Sequence, residues 1–243
     1  MALVTGASRG IGAAIARALA EAGADVAVHA NATSPEATCE AVRALGRRAA
    51  PLIADTGSAD AAERLVSEAI ETLGAVDILV NNAGIIRRGP TVDTRDEDWH
   101  AVIDVNLHGV FRLCRAAGRH MLSSGRGGKI INIASLLSFQ GGLNVPAYAA
   151  AKSAVAGLTK ELANEWAAKG INVNAIAPGY IRTDNTVALQ NDETRSRQIL
   201  ERIPAGRWGD AQDLGGAAVF LASRASDYVH GHILAVDGGW LGR

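Results

Sequence analysis

Two residues in the run PAYAAAKS, residues 146–153, have the chemistry and the spacing of a working pair: Tyr148 and Lys152. Positions four apart on a helix are neighbours on one face, with Cβ atoms roughly 5–6 Å apart, so a phenol and an ammonium placed this way address one site. A free tyrosine has a pKa of about 10 and is a poor base at neutral pH unless nearby positive charge favours the phenolate. Lys152 can supply that charge, which makes the pair a candidate acid–base couple acting on an oxygen. Taken alone, Tyr-x-x-x-Lys more often marks two surface residues of an ordinary helix, so the elements around it have to decide.

Those elements alternate regularly. Short β-branched runs at 2–5, 25–30, 49–54, 76–81, 129–134, 171–177 and 232–237 are separated by alanine-rich helical patterns near 11–22, 35–45, 59–73, 96–123, 147–168 and 211–222. Repeated βα units of this kind predict an α/β fold with a parallel sheet covered by helices on both faces. Nothing marks an internal boundary, so residues 1–243 are expected to form one domain. The polar stretch 182–209 holds no clear strand and is expected to serve as a lid-like segment over a site.

The first strand runs directly into TGASRGIG, where Gly6, Gly10 and Gly12, with Ser8, Arg9 and Ile11 between them, open the first helix. Glycines here allow a tight turn and close backbone approach to a pyrophosphate, and the helix N-terminus attracts its negative charge. The spacing is GxxxGxG, and no Gly-Lys-Ser/Thr follows, which excludes a P-loop. The fourth strand ends in NNAG, residues 81–84, and the third ends at Asp55. Asn, Asp and Gly also suit plain turns. Their joint place at the carboxyl edge of one sheet, where open α/β sheets bind ligands, favours a dinucleotide site.

Composition narrows the partners. Residues are 48% hydrophobic and 20% charged, with 24 Lys and Arg against 25 Asp and Glu, so no global field draws the chain to nucleic acid or a membrane surface. Apolar runs fall short of a membrane span, and the N-terminus has no signal-peptide pattern. Cys39 and Cys114 form no CxxC or disulfide framework, which predicts a reducing, cytoplasmic setting. The six histidines make no HExxH or comparable set, and no metal is expected.

With TGASRGIG, NNAG, Asn106, Ser135, YAAAK and PGYIRT (178–183) in this order, the chain resembles the short-chain dehydrogenase/reductase family over essentially its whole length. The resemblance implies a single-domain Rossmann fold with a seven-stranded doubly wound parallel sheet, and an NAD(P)-dependent carbonyl–alcohol reaction. It implies that Ser135, Tyr148, Lys152 and Asn106 are catalytic: Tyr148 exchanging the proton, Ser135 holding the carbonyl oxygen, and Asn106 anchoring a water that reconnects Lys152 with solvent. It places Asn82, Ala83 and Gly84 at the cofactor, Asp55 and Thr56 near adenine, and Ile181 and Thr183 on the nicotinamide amide beside Pro178 and Gly179. Tyr148 and Lys152 also touch the cofactor in this pattern. Family members usually carry several residues before the first strand, whereas here that strand begins at residue 2, which points to a short start. The family also implies a homotetramer, and the small residues Ala149, Ala150, Ala151, Ser153, Ala154 and Gly157 would let a second helix approach closely.

An acidic residue at the end of the second strand selects NAD, and a nearby arginine accommodates the 2′-phosphate of NADP. Here the strand ends in HANATS, residues 29–34, without a carboxylate, and Arg9, Asn31, Thr33 and Ser34 offer phosphate donors, so NADP is favoured over NAD. Within the family, blocks such as NNAGIIRR and RIPAGRWG are most similar to dehydrogenases of deoxy-sugar acids, which implies a small keto or hydroxy acid substrate. Gluconate dehydrogenases and 3-oxoacyl carrier-protein reductases share much of the frame. A sugar acid needs a cation for its carboxylate and polar partners for its hydroxyls, and Arg87, Arg88, Gln140, Arg182 and Asn185 fall on the expected segments. A catalytically idle dinucleotide sensor is the reading from another class; the complete Ser, Tyr and Lys set speaks against it.

Overall fold

The computed structural model describes all residues, Met1–Arg243. The seven runs form strands β1 (Ala2–Val4), β2 (Val26–Ala30), β3 (Ala49–Ile53), β4 (Ile78–Asn81), β5 (Gly128–Ile133), β6 (Ile171–Pro178) and β7 (Ile233–Val236). All pair in parallel, in the order β3-β2-β1-β4-β5-β6-β7. The chain winds outward from β1 to β3 and then returns to place β4 on the other side of β1. At such a reversal the connections leave β1 and β4 in opposite directions and a cleft opens at their carboxyl ends.

Strand side chains alternate between two apolar layers, so both faces need cover. Leu3 and Ala27 pack with helices α3 (Ala61–Leu73), α5 (Val110–Ser124) and α6 (Pro146–Trp166), while Ala2, Val4, Val26 and Val28 pack with α1 (Gly10–Glu21), α2 (Glu36–Ala44) and α9 (Gly215–Ala222). Every residue of β6 is buried, as a central strand with cover on both sides must be. No helix is long and apolar enough to cross a membrane.

Two stretches depart from the periodicity. The helix expected over 96–123 is α4 (Asp96–Ile103), a π turn (Asp104–Gly109) and then α5. A π turn admits one extra residue without breaking the helix, so residue-type patterns do not betray it. The polar stretch 182–209 contains α7 (Val187–Asn191) and α8 (Glu193–Arg202). Ile199 is the buried residue of α8, which leaves no apolar stripe to read. Ile199 joins Leu136, Ile203, Trp208 and Trp240 in a small separate core that seats this segment against the end of the sheet.

Candidate active site

Short hydrogen bonds to backbone atoms build the cofactor end. Thr5 Oγ1 accepts from the amides of Asn82 and Ala83, both at 3.0 Å. Asn82 Nδ2 donates in return to the carbonyls of Thr5 at 2.8 Å and Gly6 at 2.9 Å. The turns after β1 and β4 are thereby locked edge to edge, and the glycines follow from that closeness. Gly6 has φ +62°, and a Cβ there would stand 2.8 Å from Ala83 Cα. A Cβ on Gly12 would collide with the Gly6 carbonyl and the Asn82 amide. The N-terminal turn of α1 opens onto the same space, directing backbone N–H groups and the positive end of the helix dipole into it.

That space is a cleft of about 670 Å³ along the carboxyl ends of the strands. Its walls contain Gly6, Ser8, Arg9, Gly10, Ile11 and Gly12 from the first turn, Asn31 after β2, Asp55 and Thr56 after β3, and Asn82, Ala83 and Gly84 after β4. Pro178, Gly179, Ile181 and Thr183 follow from β6, and Ser135, Tyr148 and Lys152 close the far end. Of the residues expected at a cofactor, all but Ser34 therefore face one cavity. A dinucleotide fits it: the glycine cradle, the open helix N-terminus and a trough leading to the Tyr148 end are present together.

Arg9 lies in the cleft wall beside the residues that follow β2, where its Nη1 reaches Thr33 Oγ1 at 3.4 Å. Its Nε pairs with Asp184 Oδ2 across the cleft at 2.6 Å, and both side chains stay well exposed.

At the Tyr148 end of the cleft, β5 delivers Ser135 just past its last residue, and the Ser135 hydroxyl accepts from the Leu137 amide at 3.2 Å. Tyr148 stands in the first turn of α6, and Lys152 one turn on, with its Nζ 5.6 Å from the Tyr148 ring centroid. Lys152 is 3% exposed and donates to the Ile133 carbonyl at 2.6 Å. Burial brings its pKa down to about 8. Burial pushes the Tyr148 phenol up from its ordinary value, opposed by a hydrogen bond with Ser135 and by the charge of Arg88. Helix α6 is anchored lower down by Thr159, whose hydroxyl accepts from Asn132 of β5 at 3.0 Å.

Asn106, in the π turn, is fully buried and does not reach the cleft. Its Oδ1 accepts from the Ile85 amide and its Nδ2 donates to the Ile85 carbonyl, each at 2.9 Å, so the side chain clamps the wall just beyond Gly84. Gly109 of the same turn packs on the segment after β3, where a Cβ would come 2.6 Å from the Thr56 carbonyl. The π turn supports two cofactor-side segments at once.

Of the residues expected around a substrate, Arg182 and Asn185 line the cleft, and Arg87, Arg88 and Gln140 stand outside its walls. Arg182 donates to the Trp208 carbonyl at 3.3 Å and pairs with Asp210 at 3.4 Å. Arg87 pairs with Asp98 at 3.6 Å. Arg88 donates to the Asn185 carbonyl at 3.1 Å and has no carboxylate partner. Gln140 accepts from Trp240 Nε1 at 3.3 Å and from Arg202 at 3.5 Å, which makes it part of the joint between α8 and the C-terminal residues.

Sequence reasoning passed over His29, Ile85, Val105 and Asp184, all in the cleft wall. His29 counted as one of six scattered histidines; its place at the end of β2, beside the strand that carries the glycine turn, was the available signal.

The chain matches, over residues 6–241, the family model described as enoyl-(acyl carrier protein) reductase. It is 59% identical over 242 residues to the 2-dehydro-3-deoxy-D-gluconate 5-dehydrogenase of Bacillus subtilis strain 168, covering 100% of this chain and 94% of that protein. A crystal structure from Agrobacterium tumefaciens, described as a 2-deoxy-D-gluconate 3-dehydrogenase with bound NADP, is 57% identical, with 100% of this chain and 96% of that one covered and a TM-score of 0.94. Another from Beutenbergia cavernae, described as an NAD(P)-dependent gluconate 5-dehydrogenase with bound NADP at low occupancy, is 49% identical, with coverage of 100% and 96% and a TM-score of 0.95.

Proposed function

The chain belongs to the short-chain dehydrogenase/reductase family, and from that membership we propose that it interconverts the 5-hydroxyl and 5-keto forms of 2-dehydro-3-deoxy-D-gluconate with NADP. It is an NAD(P)-dependent oxidoreductase. The observation that carries the substrate class is the 59% identity to a dehydrogenase of that acid, over a chain whose Ser135, Tyr148 and Lys152 meet at one end of the cofactor cleft.

The glycine turn and the cleft would hold NADP, which when bound would supply the redox chemistry, accepting hydride as NADP+ and giving it as NADPH. The protein's own part is proton and position. Tyr148 donates its proton to the oxygen of a 5-keto group, or removes it from the hydroxyl in the other direction, and Ser135 holds the same oxygen through its hydroxyl. Lys152, fixed by the Ile133 carbonyl one helical turn from Tyr148, is cationic through most of the neutral range and lowers the cost of the phenolate. Asn106 keeps Ile85 in place through its side chain and so acts on the wall of the cleft beside Gly84. Arg88 is the candidate for the substrate carboxylate, because Arg87 and Arg182 already have acidic partners and Arg88 has none.

Arg9 and Thr33 favour NADP over NAD by offering a guanidinium and a hydroxyl where the 2′-phosphate would lie. A homotetramer belongs to the same reading: Ala150, Ser153 and Gly157 of α6 are exposed, and Phe111 of α5 is 42% exposed, which suits a helix-pair interface. Light scattering on the purified chain tests it.

The decisive assay follows nicotinamide absorbance while 2-dehydro-3-deoxy-D-gluconate and gluconate are offered with NADP and with NAD. Faster turnover of the deoxy acid supports the proposal, and faster turnover of gluconate moves the assignment to the gluconate 5-dehydrogenase reading that the Beutenbergia structure favours. Tyr148→Phe is expected to cut kcat by about 10³-fold or more while NADP affinity stays within about threefold.

A further inference from the structure

His29 is 1% exposed, at the end of β2, and its ring forms part of the cleft wall behind the glycine turn. Its Nδ1 lies 3.1 Å from the Gly6 amide and its Nε2 lies 2.9 Å from the Ala54 carbonyl. The Gly6 amide can only donate, so Nδ1 must be the bare nitrogen. The Ala54 carbonyl can only accept, so Nε2 carries the hydrogen. The ring is therefore a neutral crosslink of one defined tautomer between the turn after β1 and the end of β3, and the Ala7 amide, donating to the His29 carbonyl at 2.7 Å, repeats the connection through the main chain.

We infer that His29 is a positioning residue for the phosphate-binding turn, and that protonation of its ring releases the Gly6 amide and weakens dinucleotide binding. This inference deepens the cofactor reading above and rests on it. An imidazolium has hydrogens on both nitrogens and no acceptor, so Gly6 N–H would face an N–H and the turn would have to move. Gly6 has little room for that, because it is pressed against Ala83 and held by Asn82.

The surroundings keep the ring neutral at ordinary pH. Burial lowers its pKa from 6.5, and this outweighs the opposing effects of the Ala54 carbonyl and the Asp55 carboxylate. Asp55 is the charged group that acts on the ring. Strand β1, the Thr5–Ala7 turn and the Asn82–Gly84 turn carry no titratable side chain, and Cys39 on the buried face of α2 is a neutral thiol whose pKa is raised to about 11. Because the folded value lies below the unfolded one, the neutral ring is fully populated above pH 6.5 and is lost only as pH falls through the lower, folded value.

The test is titration calorimetry with NADP, from pH 8 to pH 5, on the wild type, His29→Gln and His29→Leu. Glutamine keeps an acceptor and a donor but cannot titrate. Leucine keeps bulk but cannot hold Gly6. Wild-type affinity is expected to be flat near neutrality and to fall in acid by a factor approaching tenfold per pH unit. The 2′-phosphate titrates near pH 6 as well, and His29→Gln carries the same ligand, so the difference between the two curves isolates the ring. His29→Gln is expected to bind within about threefold of wild type at pH 7.5 and to lose the extra acid limb. His29→Leu is expected to bind roughly tenfold more weakly at every pH, with an unchanged far-UV circular dichroism spectrum. Superimposable pH curves for wild type and His29→Gln, or full affinity in a folded His29→Leu, overturn the inference. A wild type that binds no NADP at any pH sinks the cofactor reading and this inference with it.

Discussion

Around the glycine turn, connections are short and end on backbone atoms: Asn82 to Thr5 and Gly6, Thr5 to the Asn82 and Ala83 amides, His29 to Gly6 and Ala54, Asn106 to Ile85. Around residues 182–213, some bonds also end on the backbone, as Thr186 does on the Ile181 and Thr183 carbonyls, but ion pairs between long exposed side chains are added: Arg9 with Asp184, Arg182 with Asp210, and Arg207 with both oxygens of Asp213, whose carboxyl it holds down at about 2. One side of the cleft is a lattice of buried and half-buried bonds whose loss strands a polar atom, at about 1–3 kcal/mol each. The other is a set of exposed ion pairs, each worth about 0–1 kcal/mol. The side that must hold one invariant molecule is stiff, while the side facing the variable part of the reaction can shift without large cost.

Mutations can break or sharpen this contrast. The largest effect is expected from Asn82→Ala, which leaves the Thr5 and Gly6 carbonyls without their donor. Unfolding free energy should drop by about 2 kcal/mol, and NADP affinity by roughly ten- to a hundredfold, measured by denaturant titration and calorimetry. A loss below about 0.5 kcal/mol would remove the distinction between the two sides.

Next comes Lys152→Met, at the boundary between them. Depressing the lysine from 10.5 to about 8 costs the fold on the order of 3 kcal/mol at neutral pH, partly offset by the bond to Ile133. The variant should therefore be more stable by about 1–2 kcal/mol while losing turnover. The gain should be full below pH 8 and shrink as pH rises toward 10.5, where the wild-type lysine is neutral in both states.

Arg9→Ala should lower NADP affinity about tenfold and NAD affinity hardly at all, read from the ratio of the two dissociation constants. Equal losses for both would assign Arg9 to the pyrophosphate. The smallest effect is expected from Asp184→Asn, which removes an exposed pair and should move Tm by less than about 2 °C.

The same contrast explains what could be read from the sequence. Backbone crowding permits few residue types, so Gly6, Gly12 and Asn82 announce the cofactor turns by identity and spacing alone, and the βα alternation announces the sheet. Tyr148 and Lys152 are legible because a helix converts a separation of four into proximity. Gln140 was expected near a substrate and instead accepts from Trp240 and Arg202. That partnership joins residues 100 apart in the chain, and no local pattern encodes it. Helix α8 hides because its contacts are with a small aromatic patch instead of a long apolar stripe. His29 hides because a crosslinking histidine has the same letter as a solvated one.

The π turn at Asp104–Gly109 has a consequence for chain length. It takes up one more residue than an α turn would over the same rotation, so α4 and α5 keep a common angular phase across it. Deleting one residue there, with the turn rewinding as α-helix, would leave Val110, Leu113, Cys114, Ala117 and Met121 facing the sheet, whereas a deletion inside α5 would turn the residues after it by about 100°. What the first deletion would disturb is local: the grip of Asn106 on Ile85 and the packing of Gly109 on Thr56. The helix tolerates a change of length at this one turn and on neither side of it.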